Sequence, residues 1–163
     1  RSDYFNIHFQ NGVYDLTKDR DQFRPRVQSD YITKWLPYDY IPISEISQEI
    51  QSEVLDFFVK IQPDEQQRAF TLSYLYYCIT GANNRQIFKV NVGYTASNGK
   101  STETSIHDKC FPIYTRKIDN RCFEKDYPKR HKFMKDCFTD PIRLIYTEEL
   151  SNNKKTEIGR AHV

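Results

Sequence analysis

Long apolar runs are missing from this chain. The longest, Tyr74 to Ile79, has six residues, where a membrane-spanning helix needs roughly 18. Paired cysteines are missing too: Cys78, Cys110, Cys122 and Cys137 form no C-x-x-C, the stronger sign of a zinc or redox motif. His107 and Cys110, with Cys122 and His131, make a metal set only on paper, because their spacings match no recurrent pattern; reduced thiols are the expectation. Excess charge of one sign is also absent, with 24 Lys and Arg against 22 Asp and Glu for a net charge of +2. That balance excludes a histone-like positive surface, so any nucleic-acid binding must come from local patches. Glycine is scarce, at positions 12, 81, 93, 99 and 159 only, so the place of each one carries information.

What is present suits a folded chain. Of the 163 residues, 38% are hydrophobic and 15% aromatic, enough to build a core, while 28% are charged. Wholesale disorder is excluded. The length fits one domain, or a small domain joined to part of another. The last seven residues, Glu157-Ile158-Gly159-Arg160-Ala161-His162-Val163, read like the translation of a sequencing adapter, and the first residue is Arg1 rather than Met. The expectation is an internal fragment of a longer protein whose native sequence stops near Thr156.

Along the chain, Phe5, Ile7 and Phe9 alternate with polar residues up to Asn11-Gly12, after which Val13, Tyr14 and Leu16 resume an apolar pattern. Asn-Gly between such runs predicts a hairpin with a type I′ turn and positive φ at both central residues. From Asp19 to Tyr40, aromatic and basic residues are broken into short extended pieces by Pro25 and Pro37. Apolar residues from Ile43 to Ile61 recur at helical spacing and predict a helix capped near Ser44. Pro63 ends it, and a second helix is expected over 64–80, with Gly81 at its left-handed C-terminus. The aromatic stripe on this helical unit reads as core rather than as a base-stacking platform.

After a polar linker, Ile87 to Val92 predicts a buried strand. It runs into Gly93-Tyr94-Thr95-Ala96-Ser97-Asn98-Gly99-Lys100-Ser101-Thr102, with a helix expected from Gly99 to about Asp108. Phosphates are held efficiently by backbone N–H groups converging in a tight loop at a helix N-terminus. Gly99 permits close approach, Lys100 reaches the β- and γ-phosphates, and Ser101 places a hydroxyl on Mg²⁺. Strand, loop and helix occur in the order this chemistry requires. One departure stands out: five residues separate Gly93 from Gly99 where the common spacing has four, so either the loop is one residue longer or Tyr94 takes the first-glycine position.

A second strand is predicted at Ile142 to Thr147, ending on Glu148-Glu149 about 48 residues beyond Lys100. Magnesium prefers carboxylate and water oxygens, and attack on a γ-phosphate needs a positioned water. Glu148 is assigned to the metal through water and Glu149 to the attacking water, with the roles open to exchange. The two strands are expected in one mainly parallel sheet, with Glu148 near the loop.

Residues 95–102 together with Arg143-Leu144-Ile145-Tyr146-Thr147-Glu148-Glu149-Leu150 resemble motifs A and B of superfamily 3 helicases. Upstream, residues 11–16, 23–25 and 30–34 are similar to the segment before the ATPase in poxvirus-type primase-helicases of large DNA viruses. The resemblance implies an AAA-like P-loop NTPase core of α/β class, preceded by a small β-hairpin and helical region. It further implies ATP and Mg²⁺ as cofactors and a hexameric ring translocating on single-stranded DNA during viral genome replication inside the host cell. A primase domain in the same parent chain is implied as well. The corresponding domains are 1–86 for the hairpin and helical region, 87–156 for a truncated ATPase core, and 157–163 for the adapter-like tail. The sensor residue, DNA-gripping hairpin and arginine finger of that family lie after motif B, so little or no turnover is expected from these 163 residues alone.

Basic residues between the motifs (Lys125, Lys129, Arg130, Lys132, Lys135, with Tyr127 and Phe133) are interrupted by acids and read first as a solvated helix face rather than a DNA contact. Two other functions remain open from the residues. One is a P-loop ATPase or kinase that does not act on DNA; the other is a module that binds nucleotide for assembly without hydrolysing it.

Overall fold

The computed structural model describes residues 5–19, 22–81, 87–92, 99–123, 135 and 141–148. The chain divides into two compact units, 1–100 and 101–163.

The first unit opens with a three-stranded antiparallel sheet in chain order: β1 (Asn6–Phe9), β2 (Gly12–Asp15) and β3 (Phe23–Arg24). The predicted hairpin is there, but its turn is not the predicted one. Phe9 pairs with Gly12, so Gln10 and Asn11 make the turn, and positive φ occurs among the described residues only at Tyr31, Gly81 and Gly99. Gly12 is required for space instead. A Cβ there would stand 2.5 Å from the Arg24 carbonyl oxygen and 2.6 Å from the Phe23 ring, contacts that close strand pairing forbids. Pro25, which lacks an N–H, follows directly on β3.

The aromatic stretch after β3 folds back along the sheet. Leu36 N–H donates to the His8 carbonyl at 2.7 Å, and Gln10 N–H to the Tyr38 carbonyl at 3.0 Å. The Asn11 amide then acts as a strand partner to Tyr40, donating to its carbonyl at 3.1 Å and accepting from its N–H at 2.9 Å. Tyr40 stacks on Phe23 at 4.8 Å between ring centres and also meets Phe9 and Tyr14. Val13 and Leu36 are fully enclosed between these layers. A 3-10 turn at Gln28–Asp30 is clamped by the Arg24 guanidinium, which donates to both Asp30 oxygens at 2.9 and 2.7 Å.

Helix α1 (Gln48–Ile61) begins later than predicted. Ile43–Glu45 is a separate 3-10 turn, Ile46 is extended, and Ser47 caps the helix by accepting from Ile50 N–H at 3.4 Å. Helix α2 (Glu65–Thr80) follows the expectation, with the Asp64 carboxylate accepting from Gln67 N–H at 2.8 Å and Gly81 closing it at φ 67°. The predicted core stripe is met only in part: α2 buries Thr71, Leu75 and Thr80, and α1 buries no residue. Two helices side by side leave much of each apolar face outside their contact, because enclosing a face takes a further layer.

Residues 87–92 are not the predicted buried strand. They carry no regular structure, and Val92 is 79% exposed. A strand exists through its ladder, and no described strand pairs with this segment; instead the Lys89 backbone hydrogen-bonds the Tyr74 hydroxyl of α2.

The second unit contains most of α3 (Lys100–Cys110), then β4 (Thr115–Lys117) and β5 (Leu144–Tyr146), which pair in parallel with Thr115 opposite Leu144. The second predicted strand is therefore present, with β4 as its partner. Tyr114, Ile118 and Cys122 are buried, joined by Glu103 and His107 one turn apart on α3. The Arg143 guanidinium lies 4.2 Å over the Tyr114 ring. The described residues are thus mixed α/β, with two small sheets and three α-helices; they do not assemble the P-loop sheet expected from the sequence. The predicted helix around Lys129 to Phe138 falls outside the described residues apart from Lys135.

Candidate functional site

The end of the glycine-containing loop is tightly specified. Gly99 has φ +80°, a left-handed conformation, and a Cβ at this position would lie 2.3 Å from Ile61 Cγ2 at the end of α1. Both the backbone and the space therefore demand glycine. Lys100 follows as the first residue of α3, and the positive end of a helix dipole favours an anion there.

Lys100 also lines a cleft of about 430 Å³ in the first unit, within the usual range of small-molecule sites. Its walls come from the α1–α2 corner at Ile61 and Gln62, the first turns of α2 at Gln66 and Phe70, and the 89–92 segment. Ser101 and Thr102 stand exposed on the first turn of α3. Thr95, Ala96, Ser97, Asn98 and Glu149 lie outside the described residues.

Glu148 sits two residues beyond β5 in the second unit, with its carboxylate 2.5 Å from the Lys117 ammonium on β4. This hydrogen bond and the facing charge raise the Lys117 pKa above its ordinary value. The sequence carried no signal for this pairing, because β4 is three residues long and its partner lies 31 positions away.

For a magnesium ion the donors on offer are few. Among the described residues no group of three or more His, Cys, Asp and Glu side chains converges. Mg²⁺ differs from caged metals in taking one or two protein oxygens and completing its shell with phosphate and water. Ser101 and Glu148, both exposed oxygen donors, are of the chemistry it accepts.

The sequence also resembles known proteins. A family described as D5 N terminal like matches residues 2–138. "Putative helicase L207/L206" of Acanthamoeba polyphaga mimivirus is 38% identical over 95 residues, 58% of this chain and 10% of that protein. "Putative helicase 184R" of Invertebrate iridescent virus 6 is 33% identical over 125 residues, 76% of this chain and 12% of its own length. A third relative, "Putative helicase 121R" of Invertebrate iridescent virus 3, is 35% identical over 95 residues. The chain thus spans about a tenth of the length of these relatives. No solved structure matches it.

Proposed function

The chain belongs to the D5 N terminal like family, and on that premise we propose that it is part of an ATP-dependent DNA helicase of viral genome replication. The observation that carries this reading is the juncture at Gly99 and Lys100. A left-handed glycine, locked against Ile61, delivers a lysine and a helix N-terminus to the edge of a cleft, the arrangement that polyphosphate binding calls for.

The roles of the chain's own groups follow from their chemistry. The first N–H groups of α3 donate to the phosphate oxygens, and Gly99 lets those oxygens approach without steric cost. Lys100 offsets the charge on the β- and γ-phosphates. Ser101 and Glu148 are the residues that would hold Mg²⁺, which when bound would neutralise charge on the transferring phosphoryl group. Glu149 orients the attacking water. Lys117 pairs with Glu148 and so competes with a metal ion for that carboxylate. The relatives' helicase names support the helicase reading; single-stranded DNA as the partner, a hexameric ring as the assembly and a primase domain in the same polypeptide are our assignments for the intact parent.

ATP hydrolysis by the intact parent, with and without single-stranded DNA, tests the reading. We expect DNA to stimulate turnover and Lys100→Ala to abolish it. Hydrolysis indifferent to DNA would point to an ATPase of another kind, and retained Mg-ATP binding without hydrolysis to an assembly module.

A further inference from the structure

We infer that the cleft between the α1–α2 corner and the 89–92 segment is the pocket for the adenine base of the nucleotide; this rests on the phosphate-binding reading of Gly99 and Lys100. Helices that precede the phosphate loop in the chain would then select the nucleotide.

Geometry supplies the first part of the argument. Gly99 touches Ile61, so the end of the phosphate loop is fixed against the end of α1. Lys100 and Gln66 line the same cleft. A nucleotide whose phosphates engage Lys100 has this cleft beside it.

The lining supplies the second part. Phe70 on α2 is 58% exposed, and Val90 and Val92, exposed as well, line the same cleft. Aromatic and apolar groups left open to water suit the flat face of a base, which stacks on them irrespective of sequence. Gln66, Gln67 and Asn91 line the same space. A carboxamide carries a donor and an acceptor side by side, the complement of adenine's amino group and neighbouring ring nitrogen. Among the described residues no acidic side chain lines the cleft, so the two adjacent N–H donors of guanine would find no carboxylate there. The chemistry therefore favours adenine.

The test compares two probes on the intact parent: Mg-ATP, and inorganic tripolyphosphate with Mg²⁺, which has no base. Phe70→Ala and Gln66→Ala should each weaken Mg-ATP by about tenfold, as loss of a stacking or pairing contact does, and leave tripolyphosphate within about twofold. Gln66 is exposed on the first turns of α2, so its truncation tests the pocket even if Phe70→Ala fails to fold. Lys100→Ala should weaken both probes. If Phe70→Ala and Gln66→Ala leave Mg-ATP unchanged while Lys100→Ala weakens both, the base pocket is refuted and the phosphate site stands. Equal weakening of both probes by the cleft variants would refute it as well, because the effect would then be on the fold. Should Lys100→Ala alter neither, the phosphate site fails and the pocket with it.

Discussion

The three-stranded sheet and the helical pair that follows it are stabilised in different ways, though both belong to the first unit. The sheet is interlocked by contacts between distant residues. Leu36 reaches β1, Asn11 binds Tyr40, Arg24 grips Asp30, and Val13 and Leu36 are sealed between layers. The helices instead rely on local signals: Ser47 and Asp64 at the starts and Gly81 at an end. Their apolar faces stay largely open. What the difference teaches is that the sheet holds itself together, while the helical pair keeps side chains free to serve a cleft.

Substitutions should therefore cost much more in the sheet than on α1. Leu36→Ala, removing a fully enclosed side chain, should destabilise the chain by about 2–5 kcal/mol in urea unfolding; a loss under about 1 kcal/mol would show that the sheet does not depend on its covering strip.

Acid should break the sheet region next. Asp30, its side chain 8% exposed, is held down to about 2 from an ordinary 3.8, foremost by hydrogen bonds from Arg24. A depressed carboxylate stabilises the fold fully above its unfolded value and loses that contribution as pH falls through the folded one. Stability should thus fall between about pH 4 and pH 2, and Asp30→Asn should lower stability at pH 7 and flatten that fall. A variant with an unchanged acid profile would show that the clamp contributes nothing.

Asn11→Ala removes two hydrogen bonds to Tyr40 near the surface and should cost about 1–2 kcal/mol. The smallest effect is expected on α1. Val54, 53% exposed, replaced by serine should shift stability by less than about 0.5 kcal/mol, and a loss above about 2 kcal/mol would mean that its face is covered in solution.

Much of the helical pair was legible because its signals are local. Asp64 and Gly81 do what their chemistry announces, and Ser47 takes the cap expected of Ser44 because Ile46 interrupts the earlier turn. Gly12 shows the limit. Asn-Gly marked a real hairpin, yet the glycine is needed for the approach of β3, a contact eleven and twelve residues away that no turn rule contains. The error at 87–92 has a similar origin: β-branched residues announce a willingness to pair, not the presence of a partner. In the candidate site, Gly99 and Lys100 were readable from the loop pattern. Ile61 behind Gly99, Lys117 on Glu148 and the cleft at Gln66 and Phe70 were not, since each depends on distant segments meeting.

The central claim is that Gly99 and Lys100 hold the phosphates of a nucleotide. Calorimetric titration of Mg-ATP into the intact parent and its Lys100→Ala variant tests it most directly. Loss of a charged contact to phosphate predicts binding weaker by about tenfold or more, with the fold intact by circular dichroism. Equal affinity in the two proteins would contradict the account.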